Sequence, residues 1–237
     1  MSFNCGIIGL PNVGKSTIFN ALSRAGAQTA NYPFCTIEPN RGIVTVPDER
    51  LAKIAEILKK ENPIPTRIEF IDVAGLVEGA SQGEGLGNKF LGHIRSVEAL
   101  IHVVRCFESS DVSHVTGSID PVRDIEIINT ELVLADMEVL ERAKEKVMKL
   151  ARSGDKDAKK RADLIDGLLS HLNEGKQLNS LDAAKEHTEE IKEYGLITIK
   201  PVLYLANTGE ENTDGGAAKS VREYAESGNA RAVAHGY

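Results

Sequence analysis

The octapeptide Gly9-Leu10-Pro11-Asn12-Val13-Gly14-Lys15-Ser16 fits the pattern G-x-x-x-x-G-K-[ST], and its neighbours fit the same reading. A strand-like run, Phe3 to Ile8, precedes it, and a helical pattern opens at Thr17-Ile18-Phe19-Asn20. Strand, glycine-rich turn and helix in that order aim backbone N–H groups and a helix N-terminus at one point, which is a phosphate cradle. Asn12, Val13, Gly14, Lys15, Ser16 and Thr17 are the binding set, with Lys15 neutralising phosphate charge and Ser16 holding Mg²⁺.

The rest of the chain is read around that loop. Further strand-like runs lie at Gly42 to Val46, Ile68 to Ile71, Ala99 to Phe107 and Pro201 to Ala206, each bounded by Gly, Pro, Asn or Asp. The near-continuous apolar character of Leu100 to Val104 and Val202 to Leu205 suits strands covered on both faces. The expected class is α/β, a mostly parallel sheet with helices on both faces. From about Ile128 to Glu193 there is no proline, and Val133, Met137, Leu140, Val147 and Ala151 follow helical spacing, interrupted at Lys144. After Ser153-Gly154-Asp155 a second stripe runs through Ile165, Leu168 and Leu172, which predicts an antiparallel, coiled-coil-type hairpin. The expected organisation is a nucleotide domain of residues 1–127 and 199–237, interrupted by a helical insertion at 128–198.

Charge separates these regions. Lys+Arg at 28 against Asp+Glu at 35 gives a net charge of −7, which argues against a general polyanion binder unless basic residues cluster. They do cluster between Glu141 and Arg161, where nine basic and four acidic residues leave 9 − 4 = +5. That stretch is either a solvated helix surface with i,i+4 pairs or a projecting arm that touches nucleic acid; it lacks the aromatics that would stack on single strands. Cys5, Cys35 and Cys106 have no metal-ligand spacing and are expected as reduced thiols. No apolar run approaches the roughly 18 residues of a membrane span, and no basic segment precedes the first apolar stretch, so a cytoplasmic location without membrane attachment is expected.

Two more elements fall in order after the phosphate loop. Asp72-Val73-Ala74-Gly75 ends the third strand-like run, where Asp72 can reach a metal's water shell and Gly75 lets its N–H approach a γ-phosphate. Thr36, before the second run, can add a hydroxyl to Mg²⁺ when a triphosphate is bound.

Together these motifs resemble the translation-factor-related P-loop GTPases of the Obg group. The segment from Asp72 to Leu91, with four glycines between Gly79 and Gly87, is similar to that group's second switch. Within the group, the loop through Thr17 and the stretch Asn31 to Pro39 resemble the YchF, or Obg-like ATPase, family over roughly residues 1–207. The resemblance implies a Mg²⁺-dependent nucleoside triphosphatase that prefers ATP, tolerates GTP and associates with ribosomes or ribosomal RNA, for which the basic hairpin tip at 142–161 is the candidate surface.

GTPases usually read guanine with N-K-x-D, but here the corresponding strand end is Asn207-Thr208-Gly209-Glu210. Thr208 removes the Lys stem along the base and Glu210 is one methylene longer than Asp, which compromises bidentate guanine recognition. Asn207 carries both a donor and an acceptor and can serve adenine's N6 and N7; the resembled family has an N-x-x-E variant here. Leu76 stands where Ras-type enzymes place a water-orienting glutamine, so intrinsic hydrolysis should be slow. His114, in the loop after the fourth strand, is the substitute that the resemblance suggests.

The family's fifth nucleotide motif and C-terminal TGS domain are not recognisable after Asn207, where Gly215 to Lys219 and Ala230 to Tyr237 depart from the pattern. A shortened or frameshifted chain whose sixth strand is missing or misformed is the expectation. A GTP-specific Obg-type enzyme and a non-hydrolytic, nucleotide-dependent ribosome- or RNA-binding module remain open alternatives, as does the oligomeric state.

Overall fold

A computed structural model describes residues 3–25, 40–73, 86–108, 118–209, 215–228 and 230–236. Cys35, Thr36, Gly75, Leu76, His114 and Glu210 lie outside the described residues. In chain order the elements are β1 (Phe3–Ile8), α1 (Lys15–Ala25), β2 (Asn40–Thr45), α2 (Glu49–Ile57), β3 (Arg67–Asp72), α3 (Leu86–Arg95) and β4 (Ala99–Arg105). They continue as α4 (Pro121–Arg152), α5 (Lys156–Asn173), the short α6 (Asp182–Glu186) and α7 (Thr188–Ile191), β5 (Val202–Thr208), α8 (Gly216–Ser227) and β6 (Arg231–Gly236).

The strands form one sheet in the order β2-β3-β1-β4-β5-β6, parallel except for the antiparallel β2–β3 pair. Parallel neighbours cannot be joined by tight turns, so helical crossovers cover the sheet and its central strands become apolar throughout. Leu100, Ile101, Val103 and Val104 of β4 are all buried. One core joins Ile7, Ile8, Phe70, Ile71 and Leu100 to Ile18 and Phe19 of α1 and Ile94 of α3. A second joins Val104, Tyr204 and Ala206 to Ile125 of α4 and Ala218, Val221 and Ala225 of α8.

The sixth strand is present, which corrects the expectation that it is missing or misformed. β6 pairs in parallel with β5 from Leu203↔Arg231 to Thr208↔Gly236. Its alternation supplies the reason: Ala232 and Ala234 pack towards α8, and Arg231, Val233 and His235 stand exposed. Ladder hydrogen bonds need only the backbone, and two alanines let the strand lie close to the helix.

α4 is a single 32-residue helix that runs without a break across residue 128. Asp120 caps it by accepting from Arg123 N, and Pro121 opens it without wasting an amide donor. Its first half contributes Ile125, Ile128 and Leu132 to the sheet cores, while Leu140 packs on Ile165, Leu168, Leu169 and Leu172. The chain turns back at Gly154, whose φ is +94°, and Asp155 caps α5 through Asp157 N and Ala158 N. Lys144, the charged interruption of the seam, pairs across the hairpin with Asp166.

The foot of the hairpin is fastened by Asp136. Fully buried, it accepts from Ile197 N at 2.8 Å, Thr198 N at 2.7 Å, Thr198 Oγ1 at 2.9 Å and Arg95 Nη1 at 3.1 Å. Arg95, the last residue of α3, also donates to Gly195 O at 2.7 Å and Ala135 O at 3.0 Å. A buried carboxylate with this many donors is held in one orientation, because losing any donor would leave charge desolvated without compensation. Among the described residues no helix is long and apolar enough to cross a membrane.

Candidate functional site at the carboxyl end of the sheet

The loop after β1 takes backbone conformations that few residues adopt. Gly9 has φ +146°, and a Cβ there would lie 2.5 Å from Val103 O. Gly14 has φ +97°, and a Cβ would lie 2.3 Å from Asn207 Nδ2. Both positions therefore exclude a side chain on two grounds, torsion and space. Asn12, at φ +62°, is the non-glycine residue that best tolerates the left-handed turn. Ile18 N donates to Gly14 O at 3.0 Å and starts α1, whose first amides are left for an outside acceptor.

Three strand ends meet this loop. Asp72 at the end of β3 accepts from Ser16 Oγ at 3.0 Å through Oδ2, while its Oδ1 is buried without a hydrogen-bond partner. Asn207 near the end of β5 donates through Nδ2 to Val13 O at 2.9 Å, and its Oδ1 is likewise buried without a partner. β4 ends with Arg105, which donates to Phe107 O at 3.2 Å and lies 4.5 Å over the Phe107 ring. Asn207 is thus a brace of the phosphate loop. Thr208 is buried beside it, and its hydroxyl donates to His235 O at 3.2 Å.

Lys15 is buried, and its ammonium donates to Leu10 O at 2.7 Å, a carbonyl of its own loop. Burial lowers its pKa to about 8, against the opposing pull of the Asp72 carboxylate. An ammonium withheld from water beside one neutral acceptor gains most from an anion placed within its reach.

Asn12, Val13, Gly14, Lys15, Ser16, Thr17, Asp72, Asn207 and Thr208 therefore lie together at one end of the sheet. Thr36, Gly75, His114 and Glu210 cannot be placed among them, being outside the described residues. One buried titratable group nearby is not singled out by any sequence motif. His102 of β4 is buried, tilts against Tyr204 with ring centroids 5.4 Å apart, and has its pKa lowered to about 3 by burial and then by the charge of Lys15. It sits in the apolar run Leu100 to Val104 as the one polar residue, and that oddity is the available signal. Cys5 and Cys106 are free thiols, pushed up to about 11 and about 12, chiefly by burial, and are unreactive by that measure.

Comparison with known proteins agrees with this architecture. Residues 4–135 match the model of the family described as 50S ribosome-binding GTPase. The chain is 53% identical over 227 residues to the Ribosome-binding ATPase YchF of Pasteurella multocida, covering 95% of this chain and 62% of that protein. To the Ribosome-binding ATPase YchF of Bacillus subtilis it is 48% identical over 237 residues, 98% of this chain and 65% of the other. The solved structure of the Schizosaccharomyces pombe YchF GTPase superposes with a TM-score of 0.82 at 34% identity, over 99% of this chain and 65% of that one. The chain thus spans less than two thirds of the length of these relatives. With a phosphate loop braced by the fifth strand and these matches over nearly its whole length, the chain belongs to the 50S ribosome-binding GTPase family of P-loop proteins, in its YchF group.

Proposed function

We propose that this chain is the nucleotide-hydrolysing part of a ribosome-associated regulatory switch, a Mg²⁺-dependent triphosphatase that takes ATP in preference to GTP. The observation that carries the reading is the Ser16–Asp72 hydrogen bond, with the second Asp72 oxygen buried and unpartnered beside the phosphate loop. A hydroxyl and a carboxylate are the hard oxygen donors Mg²⁺ favours, and a site with so few protein donors suits an ion that keeps water and substrate phosphate as its other ligands. Among the described residues no cluster of three or more His, Cys, Asp or Glu forms a metal cage, in keeping with that mode. Ser16 would hold the ion directly, Asp72 through water, and Thr36 would join them with triphosphate bound. The ion would supply charge neutralisation between the β- and γ-phosphates.

The residues of the chain divide the remaining work. Lys15 exchanges the Leu10 carbonyl for phosphate oxygens, and the amides from Val13 to Thr17 stabilise the charge that develops as the γ-phosphate leaves. Gly75 would bring its N–H to the γ-phosphate. Leu76 cannot hydrogen-bond the attacking water, so His114 is assigned that task. Replacing His114 with Ala should slow single-turnover hydrolysis and leave nucleotide affinity nearly unchanged; an unaltered rate would refute the assignment.

The preference for ATP rests on Asn207, whose Nδ2 is spent on Val13 O and whose Oδ1 is left to accept from an amino group such as adenine N6. Thr208 is turned into β6 and offers no stem along the base, and Glu210 completes the motif. A second reading, GTP as substrate, is favoured by two descriptions: the matching family and the fission-yeast relative are both described as GTPases. Isothermal titration with non-hydrolysable ATP and GTP analogues in Mg²⁺ separates the two, tighter GTP binding overturning the ATP preference.

For the ribosome, the working surface would be the hairpin tip. Arg142, Lys144, Lys160 and Arg161 have carboxylate partners, whereas Lys146, Lys149, Arg152, Lys156 and Lys159 have none among the described residues. These five cations, which outnumber the unpaired Glu141, Glu145 and Asp155 of the same stretch, would form a local phosphate-seeking surface on an acidic protein. Salt-dependent ribosomal RNA binding without stimulation of hydrolysis would favour a non-hydrolytic binding module instead.

A further inference from the structure

β6 ends the sheet, and among the described residues nothing pairs with its outer side. A strand in that position offers a row of unsatisfied N–H and C=O groups to any other strand that reaches it, and sheets commonly blunt such an edge with lysine, proline or a bulge. Here Arg231 stands at the start of the strand, but Ala232 to Gly236 contains no Lys, Arg, Asp, Glu or Pro. The register with β5 runs one to one from Leu203↔Arg231 to Thr208↔Gly236, so no bulge turns the edge away. At the middle of the strand Val233 is half exposed.

The helix beside this edge is self-complementary in charge. α8 joins two adjacent parallel strands and packs on both, through Tyr204 and Ala206 of β5 and Ala232 and Ala234 of β6. Its Ala218, Val221 and Ala225 are buried towards the sheet, and Tyr224 turns inward to Asn129 of α4. At about 100° per residue, the opposite flank, the one at the β6 edge, carries Lys219, Arg222 and Glu226. The basic residues come first along the helix and the acidic one last, so this flank complements a copy of itself that runs the other way. Lys219 meets Glu223 within α8 at 3.6 Å, but that pair is exposed and weak, which leaves the ammonium available to a second acceptor.

We propose that β6 is a self-association edge, at which two copies of this chain pair their β6 strands antiparallel about a twofold axis and form one continuous sheet. Each side chain keeps its face of the sheet across such an axis, so the register is centred on a residue. Centring it on Val233 places the one large apolar residue of the strand against itself, Arg231 against His235 and Ala232 against Ala234. Because α8 covers β5 and β6, the two α8 helices then lie about two strand spacings apart, roughly 10 Å, close to the 8–10 Å of packed helices. Lys219 and Arg222 of one helix face Glu226 of the other. One strand and one helix flank make a small contact, so the association is reversible and of micromolar order. This inference does not depend on hydrolysis at the phosphate loop.

Sedimentation equilibrium of the whole chain over micromolar concentrations tests it, together with a crosslink. The mass should rise with concentration from one chain towards two. Val233→Lys, which sets two like charges opposite each other at an exposed position, should weaken the association about tenfold or more while circular dichroism keeps its shape. Val233→Cys should form an intermolecular disulfide under mild oxidation, because residues opposite in an antiparallel pair have Cα atoms about 4.5–5.5 Å apart, within disulfide reach. Ile64→Cys, exposed and near the other edge of the sheet, should crosslink no more than the unaltered chain. A chain that stays monomeric overturns the proposal and leaves the edge to an extended segment of another protein. A dimer indifferent to Val233→Lys, or equal crosslinking through Val233→Cys and Ile64→Cys, overturns it as well.

Discussion

The carboxyl end of the sheet and the tip of the hairpin use polar residues in opposite ways. At the sheet, Lys15, Asp72, Asn207 and Thr208 are buried and each is held by a particular atom: Leu10 O, Ser16 Oγ, Val13 O and His235 O. At the tip, Lys146, Lys149, Arg152, Lys156 and Lys159 are exposed, with no carboxylate partner among the described residues. Buried polar groups act through geometry, so removing one disables its site; exposed charges act through a summed, salt-screened field, and each is replaceable. The foot of the arm, fastened by Asp136, belongs energetically with the first kind although it carries the second.

That contrast can be broken or sharpened by experiment. Asp136→Ala leaves two backbone amides and the Thr198 hydroxyl without their acceptor and Arg95 without its ion-pair partner, and urea denaturation should record a loss of about 3–5 kcal/mol. Lys15→Ala should retain the fold by circular dichroism and lower triphosphate hydrolysis by about 10²–10³-fold. In the unaltered chain, triphosphate affinity should weaken as pH rises through about 8, because the nucleotide-free lysine then loses the proton that binding requires. Titration calorimetry at stepped pH checks this, and the dependence should vanish in Lys15→Ala.

At the tip the expected effects are smaller and additive. Replacing Lys146, Lys149 and Arg152 together with Ala should leave the unfolding midpoint in place. It should weaken binding to a ribosomal RNA fragment by about tenfold and flatten the salt slope by up to about 0.9 for each phosphate that is no longer neutralised. A full loss of RNA binding from this triple change would show that the tip, too, works by defined geometry. Asp155→Ala, which removes the cap of α5 at the hairpin turn, should cost about 1 kcal/mol in the unfolding free energy.

Much of the fold and the site is legible in the chain, for local reasons. The phosphate loop, five strands and the hairpin follow from short-range requirements: glycines at positive φ, apolar runs of strand length, and helical spacing on either side of Ser153-Gly154-Asp155. β6 escapes a reading of Ala230 to Tyr237 by motif, because the strand requires only backbone pairing with β5 and alanines small enough to sit under α8. Lys144 is a flaw in the seam when read along the chain, and only the fold supplies Asp166 opposite it.

The sequence by itself determined what depends on neighbours along the chain: the loop that cradles phosphate, the alternation of strand and helix, and the clustering of charge at 141–161. Tertiary structure alone decided what depends on pairings between residues far apart. Asn207 meets Val13 across 194 positions, Ser16 meets Asp72 across 56, and Asp136 receives Thr198 across 62. No periodicity encodes such pairs, because the free energy of each exists only once the sheet has brought its partners together and excluded water from between them.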